Sequence, residues 1–473
     1  MSNEWNAVLG AAVAHAIAYR TSLAERPHAP ALTYPEMRAR LAETLPETGS
    51  DAVGVIDELV ERCDPGLMSI AGPRFFGWVM GSSELPGVAA DLLVSAWGQN
   101  AAFQTPTPAM AALEEVTEAW LLDILDLPRT ASIGFVTGAT LANATCLAAA
   151  RTRLLLEAGW DPDAEGLFGA PPVEVLLGAE AHSSVLAALQ LIGFGSQRVT
   201  RIEADAEGRM QPEALAAALA KGHGPRLVIA QAGHVNTGAF DPARAMVALA
   251  KAAGAWVHFD GAFGLWTRAV PALHGLSDGI EGADSWVTDG HKWLQVPYDC
   301  GFAIVRDRQA HQRAMTSWAS YLPSLGEDRV PSSLVPELSR RARAVPVWAM
   351  LKTLGRQGVA ELVARHCAEA RQLATRLAAE PGIAVLNEVA INQVLVEFGT
   401  GDSAARKAAT ERVIAGVQAD GTCFAAGAGW HGRWVMRLSV SSAATTPTDI
   451  DRAAAAIIAV WRQVQGAAGT RRS

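Results

Sequence analysis

The sequence is poor in cysteine, lysine and charged residues. Charged residues make up 18% of the 473 positions, and the net charge of −9 disfavours a polyanionic partner such as nucleic acid. The five cysteines are odd in number, widely spaced and form no CxxC, which argues against a disulfide framework or a zinc site. We therefore expect reduced, buried thiols in a cytoplasmic protein.

Long apolar runs and targeting signals are also missing. The longest apolar stretches, such as 214–220, are too short to cross a bilayer. The first residues, Met1–Trp5, lack a basic region followed by an apolar one, so we expect no signal peptide. Half of the residues are hydrophobic, so the chain can bury a large core, and its length predicts more than one lobe.

Two nucleotide-binding signatures and one metal signature can be set aside. The sequence has no GxxxxGK[ST], and Gly427–Gly432 matches GxGxxG only by letter, because it leads into a predicted strand rather than a helix. A metal site built from His182, His234, His258 and His291 is disfavoured, because HExxH and HxxxH spacings are absent. No metal is predicted.

The pattern of the chain predicts an α/β fold in three parts. Residues 1–70 carry helical periodicity and form a predicted N-terminal helical segment. In 71–345, short apolar runs alternate with helices from about 130, which indicates a mostly parallel sheet covered on both faces. Within it, 306–338 holds few regular signals, as is typical of a functional loop. Residues 346–473 predict a small α/β domain.

Lys292 is the most informative residue of this predicted large domain. It is one of only five lysines, and it stands between His291 and Trp293, just after the predicted strand 285–288. A lysine among apolar neighbours is suited to forming a Schiff base with a carbonyl compound. We therefore expect pyridoxal 5′-phosphate as the cofactor.

Three other positions supply what that cofactor needs. Asp260 ends the predicted strand 256–260, where a carboxylate could pair with the pyridine nitrogen; the alternative is a turn or cap aspartate. Residues 137–143 join a strand to a helix, whose N-terminus could hold a phosphate, although many α/β folds have such a turn. His182 opens a predicted helix and could stack on the ring; the alternative is a capping or core histidine.

Together these motifs resemble the group II pyridoxal-dependent amino-acid decarboxylases of fold type I, which include the aromatic-amino-acid decarboxylases. The stretches that carry the resemblance run in family order along most of the chain: Pro73–Gly77, Gly138–Asn143, Ala181–Ser184, Asn236–Asp241, His258–Ala262, His291–Leu294 with Asp299–Cys300, Ser339–Arg343 and Arg437–Ser439. His-Lys-Trp-Leu followed shortly by Asp-Cys-Gly is far more specific than a single lysine.

The resemblance implies a fold with a seven-stranded sheet in the large domain, and it implies roles for single residues. Lys292 would hold the cofactor as a Schiff base. Asp260 would pair with the ring nitrogen, Ala262 would lie under the ring and His182 would stack on it. The phosphate would be held by a set of backbone and side-chain groups, namely Gly138, Ala139, Thr140 and His291.

Tyr321 follows the lysine by 29 positions, in Ser320-Tyr321-Leu322. In similar decarboxylases, a Tyr-Leu at this spacing belongs to a mobile loop and its tyrosine donates a proton, whereas relatives with phenylalanine there tend to make aldehydes. The resemblance thus favours simple decarboxylation; the alternative is a loop tyrosine without a role. Enzymes of this kind are homodimers with shared sites, in which N-terminal helices pack against the partner.

The substrate is the least defined part of the prediction. Val79, Asn100 and Ala102 stand where aromatic-specific relatives often carry bulkier apolar groups, although Trp78 retains an aromatic ring. Leu141 also departs from the family, where many relatives have an acid. We expect decarboxylation of an L-amino acid with an aromatic or apolar side chain. The alternatives are an aldehyde synthase, another fold type I lyase or aminotransferase, and a non-catalytic binding protein.

Overall fold

The computed structural model describes residues 2–316 and 329–469. Fourteen α-helices are found there: α1 (Ser2–Ser22), α2 (Tyr34–Leu41), α3 (Ala52–Cys63), α4 (Leu85–Trp97), α5 (Pro108–Ile124), α6 (Ala139–Glu157), α7 (Pro162–Glu165), α8 (Ser183–Leu191), α9 (Pro212–Lys221), α10 (Ala243–Ala252), α11 (Arg308–Met315), α12 (Ala344–Ala378), α13 (Ser403–Asp420) and α14 (Pro447–Gly469). Eleven strands accompany them: β1 (Ser132–Val136), β2 (Glu174–Gly178), β3 (Thr200–Ile202), β4 (Arg226–Gln231), β5 (Trp256–Asp260), β6 (Ser285–Asp289), β7 (Gly301–Val305), β8 (Ile383–Val385), β9 (Gln393–Phe398), β10 (Ala426–Trp430) and β11 (Arg433–Ser439).

The chain forms two compact units. The first consists of Met1–Trp78, Gln372–Val385 and Leu395–Ser473, and the second, larger unit of Val79–Arg371 and Leu386–Val394. The division predicted from the sequence, at 70 and 345, stays a prediction.

The larger unit is built on a seven-stranded sheet with the order β1-β7-β6-β5-β4-β2-β3. β7 runs antiparallel to both of its neighbours, and the pairs β6–β5, β5–β4, β4–β2 and β2–β3 are parallel. The carboxyl ends of six strands therefore meet at one edge, where ligands bind in such sheets. The predicted mostly parallel sheet is confirmed.

Both faces of this sheet are buried, as the near-continuous apolar strands require. Along β5, Val257 and Phe259 belong to the core on one face, whereas Trp256 belongs to the core on the other, which α6 covers. Because side chains alternate along a strand, His258 and Asp260 share the α6 face with Trp256. Burying a side chain such as Phe259 stabilises the fold by about 2 kcal/mol.

The segment 306–338 contains more regular structure than the sequence indicates. Asp307 caps α11 by accepting hydrogen bonds from the backbone N–H groups of Gln309 and Ala310, at 3.0 and 3.1 Å. The helix is short and largely polar, so few apolar residues mark it in the sequence, although its cap is strong. Tyr321 lies outside the described residues.

In the first unit, β10 and β11 pair antiparallel in a four-stranded sheet of order β10-β11-β9-β8. Arg74 of the Pro73–Gly77 motif is buried within this unit. Its guanidinium donates to the carbonyls of Ala24 and Thr422 and pairs with Asp449 at 2.7 Å. A charge this deeply buried is stabilised only when paired and hydrogen-bonded, so this motif residue ties three chain segments together.

The five cysteines are all free thiols, and four of them are buried. Among the described helices, none combines the length and the apolar character that crossing a bilayer requires.

Candidate active site

Several of the predicted residues, among them Asp260 and Lys292, lie at the carboxyl edge of the sheet in the larger unit. Asp260 ends β5 and Asp289 ends β6, and these two strands are neighbours, with Asp260 opposite Val287. Gly301 begins the antiparallel β7 and pairs with Val136 at the end of β1 and with Asp289 at the end of β6. The turns that follow β1, β5 and β6 therefore lie side by side.

Lys292 lies on the turn after β6. Its Nζ is 3.0 Å from Oδ2 of the buried Asp289, and about one fifth of the lysine side chain is exposed. The lysine side chain is thus mostly enclosed but not fully buried, so a carbonyl compound can reach it. Asp289 pairs with the ammonium, which must lose its proton before the amine can form a Schiff base.

Cys300 holds this turn in place through its backbone. Its carbonyl accepts hydrogen bonds from the N–H groups of Gly290 and His291 at 3.0 and 3.2 Å, and its own N–H donates to His291 Nδ1 at 3.1 Å. The Asp-Cys-Gly sequence after the lysine thus has a structural reason. It fixes the backbone from Gly290 to His291 and orients the imidazole.

Gly81 shows how closely another segment approaches the same turn. A Cβ atom at this position would lie 2.1 Å from the Lys292 carbonyl oxygen and 2.3 Å from that of His291, both backbone atoms. Only glycine fits there.

Asp260 is nearly inaccessible, and two donors fix its carboxylate. Oδ1 accepts a hydrogen bond from the Ala262 N–H at 3.1 Å, and Oδ2 accepts one from the Asn143 side-chain amide at 3.2 Å. The Ala262 carbonyl in turn accepts from the Asp289 N–H at 2.9 Å, which joins the ends of β5 and β6. An acid fixed in this way can serve as the partner of a ring N–H.

Gly138 and His291 lie close together at the N-terminus of α6, and we call this place the anion cradle. Gly138 precedes α6, whose first N–H groups have no partner within the helix and carry the positive end of its dipole. A Cβ at Gly138 would lie 3.0 Å from His291 Cε1, and one at Gly301 would lie 2.5 Å from the Gly138 Cα. Glycine at these two positions lets the turns approach one another closely, and the helix N-terminus suits a phosphate.

His291 faces this cradle with an N–H. Because Nδ1 accepts from Cys300, the proton of the neutral ring is on Nε2, 3.5 Å from Asp289 Oδ2. Burial lowers the pKa of His291 below its usual value, although Asp289 opposes this, and the neutral ring remains a hydrogen-bond donor. Ala139 and the exposed Thr140 form the first turn of α6 beside it.

The lysine, the acid and the cradle fit pyridoxal phosphate, which carries an aldehyde, a ring nitrogen and a phosphate. One nearby residue, Asp289, does not favour the binding of a phosphate. Asp289 adds a negative charge next to the cradle, and its Oδ1 is buried without a hydrogen-bond partner in residues 2–316 and 329–469. The Lys292 ammonium compensates that charge.

His182 follows β2, whose carboxyl end lies at the same edge, and it is the N-cap of α8. Its Nδ1 accepts from the Ser184 N–H at 3.3 Å and lies 2.7 Å from the Ser184 hydroxyl. His182 therefore caps helix α8, which is the alternative role that the sequence offered for it. His182 is exposed, and its stacking on a cofactor stays a prediction.

The four predicted substrate residues have different surroundings. Val79 packs against the core of the larger unit, Asn100 Oδ1 accepts a hydrogen bond from the Arg340 N–H at 3.0 Å, and Ala102 is fully buried. Trp78 belongs to the other unit, where its ring lies 6.2 and 5.5 Å from those of Phe75 and Phe424. Its backbone has a φ of 51°, which is uncommon for a bulky residue.

Sequence reasoning missed three polar residues of this site: Asn143, His258 and Asp289. Asn143 and His258 lie inside the family motifs Gly138–Asn143 and His258–Ala262, and Asp289 lies two positions before the motif His291–Leu294. His258 precedes Asp260 by two positions, so the alternation along a strand could have placed both side chains on the same face, whereas nothing in the sequence places Asn143 beside Asp260. Asp289 lies three positions before Lys292, which is within reach across a turn.

Comparisons with known proteins identify a family for this chain. The family model described as the pyridoxal-dependent decarboxylase conserved domain matches residues 35–398. The chain is 32% identical to an aromatic-L-amino-acid decarboxylase of Bacillus atrophaeus, over 67% of this chain and 66% of the relative. It is also 32% identical to an L-2,4-diaminobutyrate decarboxylase of Rhizobium meliloti, over 68% of this chain and 64% of the relative. The chain thus covers just under two thirds of the length of these two relatives.

Solved structures show the same fold. The crystal structure of Oryza sativa TDC with PLP and tryptamine matches with a TM-score of 0.92 at 22% identity, covering 98% of both chains. That of mouse CSAD matches with a TM-score of 0.88 at 22% identity, covering 97% of this chain and 98% of the other. The predicted fold and the predicted cofactor, pyridoxal 5′-phosphate, are confirmed. Since the matched domain spans most of its length, this chain belongs to the pyridoxal-dependent decarboxylases.

Proposed function

We propose that the chain decarboxylates an L-amino acid, with an aromatic or apolar side chain, to the amine and CO2. The observation that carries the proposal is the arrangement at the sheet edge. Lys292 follows β6, Asp260 ends the adjacent β5, and the N-terminus of α6 opens beside them at Gly138. One edge thus offers an amine, an acid and an anion cradle.

Pyridoxal phosphate supplies an aldehyde that condenses with amines and a protonated ring that accepts the electron pair released when CO2 leaves. The chain does the rest. Lys292 would hold the cofactor and yield it to the substrate amine, Asp260 would keep the ring nitrogen protonated, and Ala262 would pack against the ring. The phosphate would be held by Gly138, Ala139, Thr140 and His291.

The substrate Cα must receive a proton after CO2 has left, and Tyr321 or His182 donates it in this proposal. Tyr321 lies outside the described residues, and its role rests on the family resemblance. Phenylalanine cannot donate a proton. A Tyr321→Phe protein should therefore release less amine and more aldehyde and peroxide, whereas a neighbouring change such as Ser320→Ala should alter neither product.

An aromatic or apolar substrate is supported by the chemistry of four candidate residues, Trp78, Val79, Asn100 and Ala102. The Trp78 indole packs with Phe75 and Phe424 and is 41% exposed, so part of its surface remains for another aromatic group. Val79 and Ala102 are apolar, and Asn100 is already bonded to Arg340. We include all four as candidate substrate contacts.

We also propose that the enzyme is a cytoplasmic homodimer. Exposed apolar side chains on the N-terminal helices, among them Trp5 and Ile17 on α1 and Leu59 on α3, support a second copy as their cover. The five free cysteines support a reducing compartment. Light scattering should give twice the chain mass, and an active monomer would contradict the dimer.

The central experiment screens L-amino acids with the purified protein and pyridoxal phosphate, and follows CO2 and amine by mass spectrometry. Lys292→Ala should abolish both the visible absorbance of the bound cofactor and turnover. Lys407→Ala, which changes an exposed lysine 3.9 Å from Glu411, is the matched control and should retain both. Decarboxylation by the Lys292→Ala protein would refute the proposal.

The other outcomes identify the alternatives. Oxygen consumption with peroxide release would indicate an aldehyde synthase. Dependence on a keto acid would indicate an aminotransferase. A wild-type protein that stays colourless with pyridoxal phosphate would indicate a non-catalytic binding protein.

A further inference from the structure

We infer that His258 is a positioning residue for Asp260 and acts on it through Asn143. The inference rests on the proposed function, in which Asp260 pairs with the ring nitrogen of the cofactor. His258 itself is fully buried and touches neither Lys292 nor the cradle in the contacts described above. Its effect would be indirect.

The geometry is a line of hydrogen bonds along one face of β5. Trp256 Nε1 donates to Ser285 Oγ at 2.9 Å, and the same hydroxyl lies 2.9 Å from His258 Nδ1. On the other side of the ring, His258 Nε2 lies 2.8 Å from Asn143 Oδ1. The Asn143 amide then donates to Asp260 Oδ2 at 3.2 Å.

The direction of every bond in this line follows from its last member. The Asp260 carboxylate can only accept, so the Asn143 NH2 group donates to it and Asn143 Oδ1 is the atom that faces His258 Nε2. An amide oxygen can only accept, so the neutral imidazole carries its proton on Nε2. His258 Nδ1 must then accept from the Ser285 hydroxyl, which itself accepts from the Trp256 indole.

The neutral state of His258 is required for this direction, because a doubly protonated ring could not accept from Ser285. Burial lowers the pKa of His258 to about 4, against an opposing influence of Asp260. The ring is therefore neutral near pH 7, and the order of donors is fixed by the fold rather than by pH.

Loss of His258 would release the constraint on Asn143. An amide can rotate by half a turn and present its oxygen instead of its NH2, and an oxygen facing the Asp260 carboxylate is repulsive. Within residues 2–316 and 329–469, the Ala262 N–H would then be the remaining fixed donor to the carboxylate. Its orientation towards a ring nitrogen would be less defined, so the cofactor should bind more weakly.

The test measures binding of pyridoxal phosphate to the cofactor-free protein by absorbance titration, with no substrate present. His258→Phe should raise the dissociation constant about 10- to 100-fold, as expected when a hydrogen bond to a charged group is lost. His258→Gln, whose amide can still donate to Asn143, should recover much of the affinity. Far-UV circular dichroism verifies that each variant is folded.

His311 offers a matched control. It is also fully buried in the larger unit and also lies 2.9 Å from a serine hydroxyl, that of Ser132. His311→Phe should change the dissociation constant less than twofold. Equal losses in the two phenylalanine variants would mean that His258 acts only through general packing and would overturn the inference.

A double-variant cycle tests the route through Asn143. If His258 acts only by orienting that amide, then adding His258→Phe to Asn143→Leu should weaken binding no further. Additive losses would overturn this route, as would wild-type affinity in a folded His258→Phe protein. A wild-type protein that binds no pyridoxal phosphate would instead refute the proposed function.

Discussion

Lys292 Nζ lies 3.0 Å from Asp289 Oδ2, so the lysine proposed to react with the cofactor is paired with the last residue of the strand before it. Asp289 is nearly inaccessible, and the lysine is only partly exposed. The ammonium must therefore leave a carboxylate and lose a proton before it can attack an aldehyde. The ion pair stabilises the protein before the cofactor arrives.

Asp289→Asn tests that stabilisation. Removing one partner of a largely buried ion pair leaves the other charge uncompensated, but the exposed part of Lys292 reduces the cost. The cofactor-free variant should lose about 1–2 kcal/mol of unfolding free energy, measured by urea denaturation. Glu411→Gln, which alters an exposed pair with Lys407, should cost less than about 0.5 kcal/mol. Equal effects would show that burial of Asp289 does not matter.

Gly301→Ala should damage the phosphate cradle. The new Cβ would lie 2.5 Å from the Gly138 Cα and 2.8 Å from Asp289 Oδ1, and the first of these is a backbone atom that cannot easily move. Overpacking of this kind costs about 1–3 kcal/mol. We expect lower stability in thermal unfolding and weaker binding of pyridoxal phosphate. Gly275→Ala meets no atom within 4 Å and should leave both unchanged.

Stability should fall as the pH drops below about 6.5. Burial lowers the pKa of His311 to about 3, so between these values the unfolded chain binds a proton that the folded chain does not. Burial also lowers the pKa of His258, so this residue likewise makes the folded protein less stable as the pH drops. The opposite holds for Asp241, because burial raises its pKa to about 6 and its protonation favours the folded state between pH 6 and about 4.

Because these groups act in opposite directions, the effect of His311 is best measured as the difference in unfolding free energy between the wild-type protein and a variant without this histidine. His311→Phe removes one of the protonation sites, so its unfolding free energy should rise relative to that of wild type by about 3–5 kcal/mol between pH 7 and pH 3. Urea denaturation at several pH values measures this. Parallel pH profiles for the two proteins would show that His311 is not held neutral.

The folded protein should react poorly with thiol reagents. Burial raises the pKa of the Cys146 and Cys300 thiols, and it raises those of Cys367 and Cys423 to about 12, so these groups are not thiolates near neutral pH. At most one thiol, Cys63, should react with Ellman's reagent in the native protein. All five should react in guanidinium chloride, and rapid reaction of several native thiols would contradict the burial.

The fold was predictable because the chain repeats short apolar strands and amphipathic helices, and the order of its motifs is that of a known family. Lys292 and Asp260 were predictable because each follows a strand, and strand ends converge at one edge. Asn143 was not, because an asparagine inside a helix gives no sign of the carboxylate it will face. The placement of β7 was also hidden, since nothing local in Gly301–Val305 indicates a strand that runs against its neighbours.

The position of β7 determines when the phosphate cradle can form during synthesis of the chain. Among the described residues, β1 lies at the edge of the sheet and pairs with β7, and the pairing of Ser132 with Val305 spans 173 positions of sequence. Gly138 and Gly301 meet only after this long loop has closed. A growing chain therefore completes the phosphate cradle only when β7 has been synthesised, so cofactor capture must follow assembly of the sheet and cannot guide its early steps.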